Sequence, residues 1–184
     1  MPVAFPSHQG LILPLWRWLP RRFEGVALSV GAAMPDILDT ALWPFRAGEL
    51  GQWAGHSLVG VLACIPAGLV VTWLVRRAVP GRLLARLEDP PGSPPPSPGR
   101  ASASLGIGAL SHVLSDLVTH CHFWLFWPWY TGDDVFPAWW CHAWAKVPLP
   151  IYREPYPLAP HTIAWFVVSL LGAILFVRCL RPAR

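Results

Sequence analysis

Three segments of this chain are apolar for long enough to cross a lipid bilayer. The clearest covers residues 53–75 and is almost free of polar side chains before Arg76 and Arg77. Residues 162–180 form a second run, and residues 104–127 form a third that carries a few ionisable groups. Because a transmembrane helix needs about 20 predominantly apolar residues, we predict that each segment crosses a membrane.

Composition favours a membrane protein over a nucleic-acid-binding one. Hydrophobic residues make up 54% of the 184 residues and charged residues only 13%, whereas about 25% charged residues is usual in soluble domains. The chain has 12 tryptophans, which are enriched where membranes meet water. The arginines lie between apolar segments rather than in one basic stripe with aromatic residues. We therefore expect the lipid bilayer as partner, and no nucleic acid.

A fourth apolar segment, residues 26–43, is interrupted at residues 34–39. Pro35 lacks a backbone donor and disfavours helix at the residue before it, so we expect a helix that kinks or ends there. If helix resumes at Pro35, Asp36 and Asp39 share a face because they are three residues apart. Two carboxylates in a membrane are costly unless they bind a cation or line a wet cavity.

Together these segments predict an all-α, polytopic transmembrane bundle of about four spans. Residues 1–184 would form a single membrane domain. Residues 1–22 contain too short an apolar stretch to span a bilayer, so we expect an interfacial or re-entrant helix there. A proline-rich stretch at about residues 87–103 predicts a disordered cytoplasmic linker that interrupts the domain.

The distribution of basic residues predicts an orientation. With the N-terminus inside and four spans, 11 of the 14 Lys and Arg residues fall on the inner side, leaving only Arg46, Lys146 and Arg153 outside. Cytoplasmic loops carry such an excess of Lys and Arg. We therefore expect a multi-pass protein of the bacterial inner membrane with both termini in the cytoplasm.

The third segment carries His112, Asp116 and His120 at a strict spacing of four residues. On a helix these side chains share one face, and ionisable groups inside a membrane mark a functional site. His112 and His120 would lie about 12 Å apart along the axis, too far for one ion. We therefore expect His112 and Asp116 to bind one metal, with His120 serving a second metal, a second layer of contacts or a phosphate. The alternative is a set of polar contacts between helices.

Other segments would supply the ligands that this stripe lacks. His8, Asp36, Asp39 and His56 come from earlier parts of the chain, and three of the spans place such groups in the middle or outer half of the bilayer. Imidazole and carboxylate together suit zinc, with manganese or iron as alternatives. A spare carboxylate, Asp36 or Asp39, could accept a proton during catalysis.

Two cysteine–histidine pairs, Cys121-His122 and Cys141-His142, lie near the predicted outer surface. A disulfide between Cys121 and Cys141 is one interpretation in an oxidising compartment. A small metal site is another, although neither spacing is a standard zinc pattern. Both interpretations stay open on the sequence alone.

Several short motifs in one shared order resemble the bacterial membrane-bound metal-dependent hydrolase superfamily, and they cover roughly the first 130 residues. They are Ser7-His8, Met34-Pro35-Asp36-Ile37-Leu38-Asp39, Gly55-His56-Ser57, Gly108-Ala109-Leu110-Ser111-His112 with Ser115-Asp116 and Thr119, and Leu125-Phe126-Trp127-Pro128. The resemblance implies metal ligation by His8, Asp36, His56, His112 and Asp116, together with Asp39. The superfamily often has Pro-Asp-x-Asp, whereas the second Asp is one residue later here.

Residues and resemblance together predict a membrane-embedded hydrolase. It would use a divalent metal to activate a water against a phosphoester or a lipid-linked ester, with catalytic roles for Asp36, Asp39 and His120. The alternative is a non-enzymatic small transporter or proton relay that uses the same acids and histidines. The sequence indicates neither the substrate nor an oligomeric state.

Overall fold

The chain is mostly helical, as the apolar segments predict. The computed structural model describes residues 6–42, 54–89, 93–121, 124–130, 136–148 and 155–181. The helices, numbered in chain order, are α1 (Ser7–Trp18), α2 (Gly25–Gly31), α3 (Met34–Leu42), α4 (Leu58–Ala78), α5 (Gly81–Leu84), α6 (Pro98–Thr119), α7 (Ala138–Cys141) and α8 (Pro160–Cys179).

Three helices, α4, α6 and α8, are long and apolar enough to cross a membrane. Large apolar side chains on them face outward, including Leu62 and Leu170, which are 66% and 65% exposed. Such surfaces are unfavourable in water but suit contact with lipid. The helices therefore indicate a membrane protein.

The predicted interruption of the fourth segment is confirmed, but it lies at residues 32–33, just before the predicted position, and Met34 is already helical. Helices α2 and α3 are bent by 43° relative to each other at the break, and together they are long and apolar enough to form one broken span. Helix α3 begins at Met34, so that Pro35 occupies the first turn, where its missing donor is tolerated. The described residues thus contain three candidate spans, or four when the bent pair counts as one.

Helix α6 lies earlier in the chain than predicted. It begins at Pro98, capped by the Ser97 hydroxyl, which accepts a hydrogen bond from the Arg100 backbone N–H. Residues 98–103 are therefore helical and do not belong to the predicted disordered linker. The helix ends at Thr119 rather than near residue 127, because the backbone of His120 is extended.

Helix α1 runs parallel to α8. Ser7 donates a hydrogen bond to the Ser169 carbonyl, and the Arg17 side chain donates to the Cys179 carbonyl. Between them the backbones touch, since a Cβ added at Gly10 would fall 1.7 Å from the Gly172 carbonyl oxygen. With 12 residues, α1 is about 18 Å long, so its first turn lies near the middle of α8.

Helices α2, α4 and α6 share the main apolar core, whose buried members include Ala27, Cys64 and Leu105. Helices α2 and α6 approach closely at two glycines. A Cβ at Gly31 would lie 2.4 Å from the Leu105 carbonyl oxygen, and one at Gly108 would lie 2.4 Å from the Leu28 carbonyl oxygen. This close contact fixes how α6 is rotated about its own axis, and therefore the direction in which the ionisable stripe of α6 points.

Arginines hold one end of the bundle together, which we call the arginine end. Arg76 forms an ion pair with the buried carboxylate of Glu24 at 2.8 Å. Arg100 donates to the carbonyls of Pro20 and Phe23, and Arg86 donates to the Leu180 carbonyl. Helix α4 ends and α6 begins at this end, so the start of α4 and the end of α6 meet at the other.

The region between α6 and α8 adds a small sheet to this mostly helical chain. It contains a two-stranded antiparallel sheet, β1 (Ala145–Val147) and β2 (Tyr156–Leu158), with Lys146 opposite Pro157. These three-residue strands are too short to leave a periodic signal in the sequence. Cys121 and Cys141 form a disulfide, which decides between the two interpretations of the cysteines. His122 lies outside the described residues.

Candidate metal centre

Five side chains from four parts of the chain meet at the end of the bundle opposite the arginine end. We call them the histidine–carboxylate cluster: His8 on α1, Asp36 on α3, His56 in the turn before α4, and His112 and Asp116 on α6. All are at most 4% exposed except the Asp36 side chain, which is 42% exposed. The five side chains that the resemblance implies as metal ligands therefore lie together.

Three groups of the cluster have the mutual spacing of ligands in a tetrahedral metal site, and a fourth lies close to two of them. His56 Nε2 lies 3.1 Å from His112 Nε2 and 3.2 Å from Asp116 Oδ2, and His112 Nε2 lies 3.3 Å from Asp116 Oδ2. Asp36 Oδ1 lies 3.5 Å from His56 Nε2 and 3.7 Å from His112 Nε2. Zinc with bonds of about 2.0–2.1 Å holds its ligand atoms about 3.3–3.4 Å apart. The His56, His112 and Asp116 atoms therefore fit three corners of a tetrahedral cation site, with Asp36 Oδ1 beside the two histidine nitrogens.

The backbone orients the His112 ring. Its Nδ1 lies 2.7 Å from the carbonyl oxygen of Ala32, which can only accept, so Nδ1 carries the hydrogen. In the neutral ring Nε2 then holds a lone pair that points into the cluster. Ala32 caps the C-terminal end of α2, where helix carbonyls lack intrahelical partners, so the break between α2 and α3 supplies this acceptor.

Asp39 orients the His56 ring. Its Oδ2 lies 2.6 Å from His56 Nδ1, and its Oδ1 accepts a hydrogen bond from the Gly55 backbone N–H at 2.7 Å. Gly55 is needed here because a Cβ would lie 2.4 Å from the Pro35 carbonyl oxygen. Both Asp39 oxygens thus contact the His56 turn, and the structure places Asp39 behind the histidine rather than among the converging ligand atoms.

Ser115 orients the His8 ring, a role that sequence reasoning missed. The Ser115 hydroxyl donates to the His112 carbonyl at 2.8 Å, so its oxygen is available to accept from His8 Nδ1, also 2.8 Å away. His8 Nε2 then faces Asp116 Oδ1 at 3.3 Å. The adjacency of Ser115 and Asp116 in the sequence was the only signal for this role.

Carboxylates dominate the electrostatics around His56, which precedes the first residue of α4. Burial opposes the charged form of this imidazole, but the nearby carboxylates of Asp116, Asp36 and Asp39 outweigh burial and raise the pKa of His56 to about 11. By contrast, burial lowers the pKa of His8. The cluster therefore favours a positive charge among its carboxylates, which a metal cation would supply.

Unpaired buried atoms point to the same conclusion. Among the described residues, His8 Nε2 and both carboxylate oxygens of Asp116 have no hydrogen-bond partner. A buried carboxylate without hydrogen bonds or a paired charge is strongly unfavourable. A divalent cation bound by Nε2 atoms and carboxylate oxygens would satisfy these atoms, so the donor set fits a metal.

His120 lies beside the cluster but outside the tetrahedral arrangement. Its Nδ1 is 3.0 Å from the Asp116 backbone carbonyl and 3.0 Å from the Thr119 hydroxyl. The same nitrogen is 3.9 Å from Asp116 Oδ1. The three members of the α6 stripe thus do not all face one point.

A second group of potential ligands lies near the disulfide. Cys121, Cys141 and His161 have ligand atoms within 4.8 Å of one another. Because the two sulfurs are bonded to each other, they carry no thiolate that could bind a metal. The disulfide is therefore incompatible with a metal site that uses the thiolates of Cys121 and Cys141.

The family comparison covers the part of the chain that builds the cluster. A family model described as a domain of unknown function (DUF4184) matches residues 1–132. No curated protein and no solved structure matches the chain. The match contains His8, Asp36, His56, His112 and Asp116. The chain belongs to the DUF4184 family, whose function is unknown.

Proposed function

We propose that this protein is a membrane-embedded, divalent-metal-dependent hydrolase that acts on a phosphoester or a lipid-linked ester. The observation that carries the proposal is the spacing of His56 Nε2, His112 Nε2, Asp116 Oδ2 and Asp36 Oδ1, which lie 3.1–3.7 Å apart in the pairs given above. The resemblance to the membrane-bound metal-dependent hydrolase superfamily supports the same reaction class.

The ligand types favour zinc, with manganese or iron as alternatives. Two imidazole nitrogens and one carboxylate oxygen, from His56, His112 and Asp116, would suit zinc with a fourth position left for water. The Nδ1 atom of each imidazole has a partner that fixes the tautomer, as in metal-binding histidines generally. The partner is Ser115 for His8, Asp39 for His56 and the Ala32 carbonyl for His112. When bound, a divalent cation supplies Lewis acidity and lowers the pKa of a coordinated water.

Asp36, Asp39 and His120 have different roles in the proposed reaction. Asp36 is the partly exposed member of the cluster, so water and substrate reach the cluster on its side, and its carboxylate accepts a proton there rather than serving as a further ligand. Asp39 holds the His56 ring and does not accept the proton, because both of its oxygens already accept hydrogen bonds. His120, whose Nδ1 faces the backbone, contacts the substrate instead of the cation.

We also propose that the protein lies in the bacterial inner membrane with its C-terminus in the cytoplasm. The expected cytoplasmic N-terminus is not part of this proposal, because His8 in the first turn of α1 lies in the cluster, at the end opposite the arginine end. Arg17, Arg76, Arg86 and Arg100 all lie at the arginine end, which is the expected cytoplasmic side. The cluster then faces the opposite side. The disulfide follows the cluster-bearing end of α6, and an oxidising compartment on that side would maintain it.

The alternative of a proton relay receives less support from the geometry. A relay needs ionisable groups in sequence across the membrane. Between the cluster and Glu24 at the arginine end, α2, α4 and α6 pack through apolar side chains such as Val30, Val61 and Leu105. The cluster is therefore better suited to chemistry at one side of the membrane than to transfer across it.

Hydrolysis by the purified, metal-loaded protein tests the proposal. The protein in detergent would be loaded with Zn²⁺ or Mn²⁺ and given bis(p-nitrophenyl) phosphate, p-nitrophenyl phosphate and phospholipids in mixed micelles. We expect product release that chelation abolishes and metal restores. The variant His112→Ala should lose this activity, whereas Glu88→Gln, an exposed carboxylate near the arginine end, should retain it. Equal product release by wild type and His112→Ala would contradict the proposal, as would no release from any of these substrates.

A further inference from the structure

Asp116 presents its two carboxylate oxygens to different histidines. Oδ2 lies 3.2 Å from His56 Nε2 and 3.3 Å from His112 Nε2. Oδ1 lies 3.3 Å from His8 Nε2 and 3.9 Å from His120 Nδ1. The residue is 1% exposed, and neither oxygen accepts a hydrogen bond from the described residues. The carboxylate therefore has two buried faces, each turned toward an imidazole nitrogen.

A single cation in the tetrahedral position accounts for only one of these faces. It would bind Oδ2 and leave Oδ1 directed at His8 Nε2. Because His8 Nδ1 donates to Ser115, whose own hydrogen is committed to the His112 carbonyl, His8 Nε2 carries a lone pair. Two acceptor atoms would then face each other in a buried place, which is unfavourable unless a positive charge lies between them.

We propose that Asp116 bridges two divalent cations, the second of which is bound by Asp116 Oδ1 and His8 Nε2. This inference rests on the proposed metal-dependent function. In two-metal hydrolytic sites the ions lie about 3.5–4 Å apart, a separation that the two oxygens of one carboxylate can bridge. The first position has three protein ligands, from His56, His112 and Asp116, and the second has two, so both keep positions open for water and substrate, as catalytic metal sites do.

His8 is well placed to bind the second cation because its helix, α1, is packed against α8. Helix α1 is fixed on α8 by the Ser7–Ser169 hydrogen bond and the Gly10–Gly172 contact. The His8 ring also stacks on the His112 ring, with centroids 3.7 Å apart. The second position therefore has a rigid ligand on one side and the bridging carboxylate on the other.

Metal stoichiometry tests the second position without relying on activity. Full-length protein in detergent would be stripped with a chelator, titrated with Co²⁺, desalted and analysed for metal content. We expect two equivalents per chain in wild type and one in His8→Ala. His161→Ala, which removes a histidine near the disulfide, should retain two equivalents. Mn²⁺-loaded wild type should show an exchange-coupled paramagnetic resonance spectrum, and Mn²⁺-loaded His8→Ala the spectrum of an isolated ion.

The outcomes separate this inference from the proposed function. One equivalent in both wild type and His8→Ala would overturn the second cation and indicate a proton between His8 and Asp116, while leaving the first position intact. No bound metal in wild type would overturn both proposals. If His8→Ala does not fold, Ser115→Ala keeps the ligand but removes its orienting contact. The second equivalent should then bind about 10- to 100-fold more weakly, and unchanged affinity would overturn the inference.

Discussion

Replacing Asp39 by asparagine tests whether this carboxylate orients the His56 ring or binds the metal itself. In the native protein its two oxygens accept from His56 Nδ1 and from the Gly55 N–H, at 2.6 and 2.7 Å. An asparagine offers one acceptor oxygen, and its NH₂ group must then face one of these two donors. Either the turn before α4 shifts or the His56 ring loses its orienting partner, so His56 Nε2 no longer points reliably at the cation.

The expected loss is moderate rather than complete. Removing a partner that orients a metal-binding histidine typically weakens metal affinity by about 10- to 100-fold, which corresponds to about 1.4–2.7 kcal/mol. Competition between the protein and a chromophoric chelator for Zn²⁺ would measure the change. The control Glu88→Gln removes an exposed carboxylate charge and should leave the affinity unchanged.

Two results would refute this reasoning about Asp39. Wild-type affinity in Asp39→Asn would mean that the His56 orientation does not depend on the carboxylate. Abolished binding, equal to that of His112→Ala, would mean that Asp39 is itself a ligand. A melting curve of each variant would show whether the turn remains folded while the affinity changes.

Two further predictions concern packing and the disulfide. Gly108→Ala should destabilise the protein by about 1–3 kcal/mol, because the new Cβ would lie 2.4 Å from the Leu28 carbonyl oxygen. The control Gly99→Ala, on the same helix, meets nothing within 4 Å and should not lower the melting temperature. Equal melting temperatures of the two variants would contradict the α2–α6 packing. A reductant should lower the melting temperature of wild type, since the disulfide closes a loop of sequence separation 20 and contributes about 3 kcal/mol. The same reductant should have no effect on a Cys121→Ser/Cys141→Ser variant, and an unchanged wild-type melting curve would speak against the bond.

Local patterns in the sequence were sufficient to predict much of the fold. Apolar segments longer than about 18 residues identify spanning helices by length alone, and Pro35 marks the break between α2 and α3 because its chemistry acts on the adjacent residue. The limits of α6 were less accessible. Its start depends on Ser97 acting as a cap, and its end depends on the extended backbone of His120.

The cluster was predictable in its membership but not in its division of roles. The four-residue spacing of His112 and Asp116 places them on one face of any helix. The position of His8, by contrast, depends on the close contact of α1 with α8 at Gly10 and Gly172, which joins distant parts of the chain. The role of Asp39 likewise depends on where the turn at Gly55 packs.

The family match contains the cluster residues but not every helix that supports them. The family match ends at residue 132, whereas α8, which supports α1 and therefore His8, begins at Pro160. Disrupting the Gly10–Gly172 contact should therefore affect the second cation before the first. This follows because His8 lies on α1, whereas His56, His112 and Asp36 lie on other parts of the chain.

Metal content is the most direct test of the central claim that the histidine–carboxylate cluster binds a divalent cation. Wild-type protein and His112→Ala would be purified in detergent, exposed to Zn²⁺, desalted and analysed by mass spectrometry for bound metal, with their folding compared by melting curves. The cluster geometry predicts at least one tightly held equivalent in wild type and none in a folded His112→Ala variant. Equal metal content in the two proteins, whether substantial or negligible, would contradict it.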